Sequence, residues 1–179
     1  MIYDITQELF SGGVWPGDKA PEYIRTRSFD KGDSSTVSIF TMSAHNATHI
    51  DAPIHRIKGG KGIDELSLDA CLGECEVISI NNRETLERTD AKRVLIKDCV
   101  TIDVEIAQLL VDKGVRFVGV EGLSVGDRPT HNVLLTADVV VLEGAVLSHV
   151  PEGKYFLSAA PIKLGGFDGA PCRAALISL

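Results

Sequence analysis

Apolar and polar positions alternate through Thr36 to Met42, with Val37, Ile39 and Thr41 on one face and Ser38 and Phe40 on the other, the period-two pattern of a strand. Tyr23 to Phe29 alternates in the same way, and the turn Asp30-Lys31-Gly32-Asp33 between the two predicts an antiparallel pair. A short strand over Ile2 to Thr6 comes before them, separated by a loop at Ser11 to Pro21 where glycine and proline are dense. Lys58 to Gly62 reads as a second loop, and Leu66 to Cys71 as a short helical turn. Glu76 to Ile80 and Arg93 to Ile96 are β-like. Ile102, Ile106, Leu109 and Leu110 then recur at helical spacing within Thr101 to Asp112, before Gly114 as a C-terminal stop. Phe117 to Val120 is an apolar strand, His131 to Ala137 opens a helix, and Val139 to Leu142 is a buried strand. Tyr155 to Ala160 and Arg173 to Ile177 complete the sheet. Strand, helix, strand, helix, strand from residue 93 onward predicts an α/β fold, a mixed sheet covered by helices and preceded by an antiparallel N-terminal part. With no repeat, linker or low-complexity tract, residues 1–179 are expected to form one domain.

Composition narrows the chemistry. A hydrophobic fraction of 44% with 24% charged residues is that of a soluble globular protein. A formal charge of -7 opposes nucleic acid and anionic membranes, which favours a small-molecule partner. The start Met1-Ile2-Tyr3-Asp4-Ile5 has no basic region followed by an apolar one, and no apolar run approaches a membrane span, so a cytoplasmic location is expected. Cys71, Cys75, Cys99 and Cys172 form no C-x-x-C pair and read as reduced, small buried thiols rather than metal ligands.

The candidate chemistry is concentrated in His45-Asn46-Ala47-Thr48-His49-Ile50-Asp51-Ala52-Pro53-Ile54-His55, which holds three of the five histidines. His45 and His49 stand four apart, as on one helix face, but β-branched Thr48 and Ile50 and the following Pro53 disfavour helix. In an extended chain His49, Asp51 and His55 share one side, and a turn at Asn46-Ala47 brings His45 round to them. Two imidazoles and a carboxylate suit zinc, manganese or ferrous iron and leave coordination positions for water or substrate. An ion with an open position lowers the pKa of bound water from about 15.7 to about 7 and dispenses with a serine or cysteine nucleophile. A surface cluster or a closed structural site are the alternatives; the spare His55, just past Pro53, favours catalysis. Taken singly, His131 reads as a helix-start residue, Glu143 as a solvated strand end and Trp15 as a loop anchor. His149 reads as a surface residue. Gly165 to Gly169 lacks the ending of a phosphate loop and reads as a tight turn feeding the last strand.

The segment H-N-A-T-H-I-D-A-P-I-H resembles the signature H-x-G-T-H-x-D-x-P-x-H of the cyclase-like metal hydrolases, which include bacterial kynurenine formamidase and isatin hydrolase. It departs at Ala47, where the family has glycine; if that position needs a positive φ, alanine strains the turn. Trp15-Pro16-Gly17-Asp18 is similar to the family's W-P-G-D loop, and Gly166 to Ala174 to its G-x-D-x-x-P-x-R-A pattern. His131 and Glu143 keep the family's twelve-residue spacing. The resemblance implies a swivelling β/β/α-like fold, hydrolysis of a linear amide such as N-formylkynurenine, and a homodimer or larger assembly. It implies one or two divalent ions, zinc first and manganese second. His45, His49 and Asp51 would hold one metal, Asp51 would bridge to a second shared with His131 and Glu143, His55 would be the proton shuttle, and Trp15 would line the substrate pocket. The stretch from Asn81 to Ile102 is short beside relatives with an extra loop. Opening of a cyclic amide or lactone, as in isatin hydrolase, and a non-catalytic metal-binding protein are therefore the alternative readings.

Overall fold

Val94 and Ile96 belong to one apolar cluster and Leu95, between them, to another. This alternation, repeated from strand to strand in the computed structural model of residues 1–179, divides the molecule into two cores on opposite faces of one sheet. The strands are β1 (Ile2–Asp4), β2 (Glu22–Arg27), β3 (Val37–Thr41), β4 (His49–Asp51), β5 (Leu72–Ser79), β6 (Arg93–Lys97), β7 (Phe117–Val120), β8 (Val140–Glu143), β9 (Gly153–Ser158), β10 (Gly169–Pro171) and β11 (Ala175–Ser178). The helices are α1 (Leu68–Cys71), α2 (Arg83–Arg88), α3 (Val104–Asp112) and α4 (Arg128–Thr136).

Nine strands run in the order β1-β11-β9-β5-β6-β7-β8-β4-β10. The central four, β5 to β8, are parallel, and antiparallel strands extend them on both sides. Each parallel step needs a crossover, and α2, α3 and α4 supply the three. Their Leu86, Ile106, Leu110, Leu134 and Leu135 pack with Ile78, Val94, Ile96, Val118 and Val141 of the strands. On the other face the sheet curls round Ile5, Ile50, Leu95, Phe117, Leu142, Leu157 and Leu176. Ile5 continues the β1–β11 pairing by donating to Ala174 O (3.0 Å) and accepts from Val146 N–H (2.9 Å) just past β8, which links the β1 edge to the other half of the sheet. The α/β expectation of a mixed sheet covered by helices therefore holds.

Several element ends differ from the sequence reading. The second long helix starts at Arg128 rather than His131, because Asp127 caps it by accepting from Thr130 N–H and Pro129 occupies the first turn. Asp103 caps α3 in the same way, so that helix begins at Val104. The sequence reading lacks α2, whose six residues bury Leu86 alone and so carry no apolar repeat. It also lacks β10, three residues with a glycine and a proline, which intervenes between the Gly165–Gly169 turn and the last strand.

The antiparallel pair β2–β3 forms separately from the main sheet, and all its residues are exposed. No helix is long and apolar enough to cross a membrane.

Candidate metal centre

β4 lies between β8 and β10, with His49 opposite Glu143 on one side and Asp51 opposite Gly169 on the other. Its period of two puts His49 and Asp51 on one face, and both are fully buried. The turn before the strand has Ala47 at φ 55, in the left-handed region, so the position does require a positive φ. Ala47 N–H donates to Gly13 O at 2.8 Å, while Ala47 O accepts from His49 Nδ1 at 3.0 Å. Thr48 Oγ1 locks the same turn by donating to Gly144 O (2.6 Å) and accepting from Gln7 N–H (2.8 Å).

Because His49 donates Nδ1–H to a carbonyl, Nε2 is the nitrogen turned inward. Nε2 lies 3.3 Å from Asp51 Oδ1 and 3.4 Å from Glu143 Oε2. His45 comes round the turn to place Nδ1 2.9 Å from the same Asp51 oxygen. In the first turns of α4, His131 donates Nδ1–H to Asp127 O (3.0 Å) and aims Nε2 at Glu143 Oε1 (3.1 Å) and Asp51 Oδ2 (3.7 Å). Glu143 Oε1 also accepts from Val125 N–H at 2.6 Å. His55 ends a single helical turn, Pro53–His55, with Nε2 3.9 Å from Asp51 Oδ2 and its ring centroid 4.3 Å from that of His45. The other four residues named as ligands in the sequence reading, and His55 with them, are thus gathered around Asp51.

Two buried atoms here, His49 Nε2 and Asp51 Oδ2, have no hydrogen-bond partner. Orphans of this kind cost about 1–3 kcal/mol each, which makes a bound cation the natural occupant. Ligand atoms of His45, His49 and Asp51 lie within 4.8 Å of one another, and so do those of Asp51, His55 and His131. The donor set, neutral imidazole nitrogens with carboxylate oxygens, fits a divalent metal. Electrostatics points the same way. Burial alone would depress His49, but its contacts with Asp51 and Glu143 outweigh burial and carry it up to about 10. Asp51 is held far below the usual carboxylate range: burial opposes this, and the hydrogen bond with His45 together with the nearness of His49 and His55 prevails. Two buried carboxylates demand positive charge at this point. Burial pushes His55 down, with Asp51 partly offsetting it.

Above the cluster opens a cleft of about 150 Å³, bounded by His45, His55, His131 and Glu143 and walled by Trp15, Asp18, Arg56, Leu123 and Ser124. Trp15, half exposed, is one wall of this cleft, while His149 lies at the surface against Tyr3. The sequence reading missed the wall residues Asp18, Arg56, Leu123 and Ser124. It also missed Asp168, whose Oδ2 is 2.9 Å from His45 Nε2 and 3.7 Å from His55 Nδ1. Its only signal was the G-x-D pattern.

The Cyclase family model matches residues 3–101, more than half of the chain and all of the His45–His55 segment. The chain belongs to the cyclase family. This cyclase-family chain is 35% identical to the kynurenine formamidase of Salinibacter ruber, with 98% of this chain and 96% of the relative covered. The alignment runs over 204 positions against 179 residues, so the relative carries residues that this chain lacks. A solved structure described as a potential metal-dependent hydrolase with cyclase activity superimposes with a TM-score of 0.83 at 30% identity, covering 98% of this chain and 96% of the other. Isatin hydrolase A from Labrenzia aggregata, 21% identical, shares the fold with a TM-score of 0.82 over 100% of this chain and 94% of its own.

Proposed function

We propose that this cyclase-family protein is a metal-dependent hydrolase of a non-peptide C–N bond, with an arylformamide of the N-formylkynurenine type as substrate. The observation that carries the reading is the pair of buried, unpartnered atoms, His49 Nε2 and Asp51 Oδ2, among the residues that bound the cleft. The likeness to kynurenine formamidase over almost the whole chain supports the choice of bond. In this reading His45, His49 and Asp51 hold one ion, and Asp51 reaches towards a second position formed with His131 and Glu143. Zinc suits the imidazole and carboxylate set best, with manganese the next choice. When bound, such an ion supplies the charge that polarises a carbonyl and acidifies water.

The protein's own groups do the rest. His55 is the histidine of the cluster whose ring makes no hydrogen bond, so it is free to move protons. Water oxygen bonds to the formyl carbon, the C–N bond breaks, and the proton that His55 takes from water passes to the leaving amine, giving an arylamine and formic acid, which releases the second proton to solvent as formate. A cleft of about 150 Å³ is below the roughly 300–1,000 Å³ usual for drug-sized ligands. It suits a formyl group and part of a ring, with Trp15 against the aryl face. Free thiols at all four cysteines accord with a reducing, cytoplasmic setting.

The test is metal analysis of the purified protein together with rates on an arylformamide, a cyclic imide and a lactone. Metal-dependent turnover of the formamide is expected. His55→Ala should keep its metal and lose about 10²–10⁴-fold in rate. Full activity in that variant removes His55 from the mechanism. Turnover of cyclic substrates alone would select the ring-opening reading, and metal without turnover the non-catalytic one.

We also propose a homodimer. Tyr23 and Phe40 on one face of the β2–β3 pair, and Ile24 and Ile39 on the other, are all more than half exposed, and the Ile24–Ile39 face is the apolar surface that a second copy would cover.

A further inference from the structure

Asp168 stands at the mouth of the site, on the turn that leads into β10. The turn is tied to β4 by Ala52 N–H donating to Asp168 O at 2.9 Å, and the next residue, Gly169, is in register with Asp51. The position of its half-exposed carboxylate is therefore set by the same strand that carries His49 and Asp51.

The ring of His45 lies between two carboxylates, with Nδ1 2.9 Å from Asp51 and Nε2 2.9 Å from Asp168. A neutral imidazole has one N–H. If a cation occupies the Asp51 side, Nδ1 must offer its lone pair there, and the proton resides on Nε2, donated to Asp168. His49 and His131 show the opposite arrangement, since each gives Nδ1–H to a backbone carbonyl and turns Nε2 inward. His45 is thus the ligand candidate that faces the site through Nδ1, and its outer nitrogen is held by a charged group rather than a carbonyl. Gly169 fits the same scheme. A Cβ there would stand 2.8 Å from His45 Cε1, so the ring rests directly on the backbone.

We propose that Asp168 and Gly169 form a positioning device for His45: the carboxylate accepts Nε2–H, the bare backbone seats the ring, and together they present Nδ1 as the metal-binding atom. The assignment rests on the metal-hydrolase reading above.

The experiment measures zinc affinity of the full-length protein by chelator competition, alongside the melting temperature of the metal-free form. Asp168→Ala is expected to weaken zinc binding about 10–100-fold, the usual effect of removing such a partner. Asp168→Asn should fall between, because its amide oxygen still accepts from Nε2–H while its charge is gone. Metal-free melting should stay close to wild type in both, which separates positioning from a general structural role. In a His45→Ala background, Asp168→Ala should cause no further loss. Gly169→Ala should weaken zinc as Asp168→Ala does; if it fails to fold, the Asp168 series decides alone. Zinc bound equally well by wild type and Asp168→Ala overturns the proposal while leaving the metal site intact. No zinc, manganese or iron bound by wild type would instead overturn the metal reading itself.

Discussion

Ala47 shows how one residue's backbone serves its neighbour's side chain. Its left-handed conformation points the carbonyl at His49 Nδ1 and so decides which nitrogen of His49 faces Asp51. For an L-residue that conformation costs about 1–2 kcal/mol. Space for the methyl comes from Gly12, where a Cβ would stand 2.8 Å from Ala47 Cβ. Ala47→Gly would relieve the strain, lose a buried methyl worth about 0.8 kcal/mol and add unfolded-state entropy worth about 0.4–1 kcal/mol. These effects oppose, so its stability should stay within about 1 kcal/mol of wild type. Ala47→Val adds a β-branched side chain where φ is positive and where Gly12 leaves room for a methyl alone, and should lose about 2 kcal/mol or more. Urea denaturation of the metal-free variants checks both, and a Val variant as stable as wild type would show that the turn is not constrained. Sequence comparison flagged the residue, but its consequence for the His49 tautomer needs the hydrogen bond.

At the scale of elements, two β pairings have opposite fates. β4 is only three residues long, yet both edges are paired and its side chains are buried, so His49 and Asp51 are held rigidly. The β2–β3 hairpin is longer, lies outside the main sheet and is exposed throughout. Ile24 and Ile39 are directly paired, 64% and 56% exposed, an arrangement that an isolated hairpin does not sustain in water. If a second copy covers them, Ile24→Glu and Ile39→Glu should convert a dimer to a monomer at micromolar concentration, with little change in far-UV circular dichroism. Sedimentation velocity reads the mass directly. A dimer that survives both substitutions would place the interface elsewhere. The alternating pattern identified both strands, but nothing in it could tell a core-facing hairpin from a free one.

Across the whole molecule, the two cores share a sheet, so the thiols in the curled core report on global integrity. Burial pushes the Cys75 and Cys172 thiols up to about 12, and Cys71 up to about 11, with Arg93 countering it slightly at Cys75 and Cys71. In the unfolded chain they ionise near 8.5. A folded pKa raised above the unfolded one means stability that is complete below about 8.5 and is lost as pH rises from there towards the folded values. The urea midpoint should therefore fall between pH 8 and pH 10, and less steeply in a Cys75→Ala/Cys172→Ala variant. At pH 8 these thiols should react with iodoacetamide only as fast as the protein unfolds. Rapid native-state alkylation of Cys75 or Cys172 would contradict their burial.

Local pattern was enough to find most strands, the two long helices and the His45–His55 cluster, because period, capping residues and ligand spacing are short-range properties. His49 and Asp51 could be placed on one face from alternation alone. What joins them is not local: Glu143 reaches His49 through the β4–β8 register, His131 through the capped start of α4, and Asp168 through a strand pairing across more than a hundred residues. Those distances follow from the order in which nine strands are laid side by side, which burial of two opposite faces selects. The sequence by itself determined the candidate donor types and the extended segment that carries His49 and Asp51. Tertiary structure alone decided which nitrogen each histidine turns inward, since that depends on the carbonyl or carboxylate the fold sets against the other.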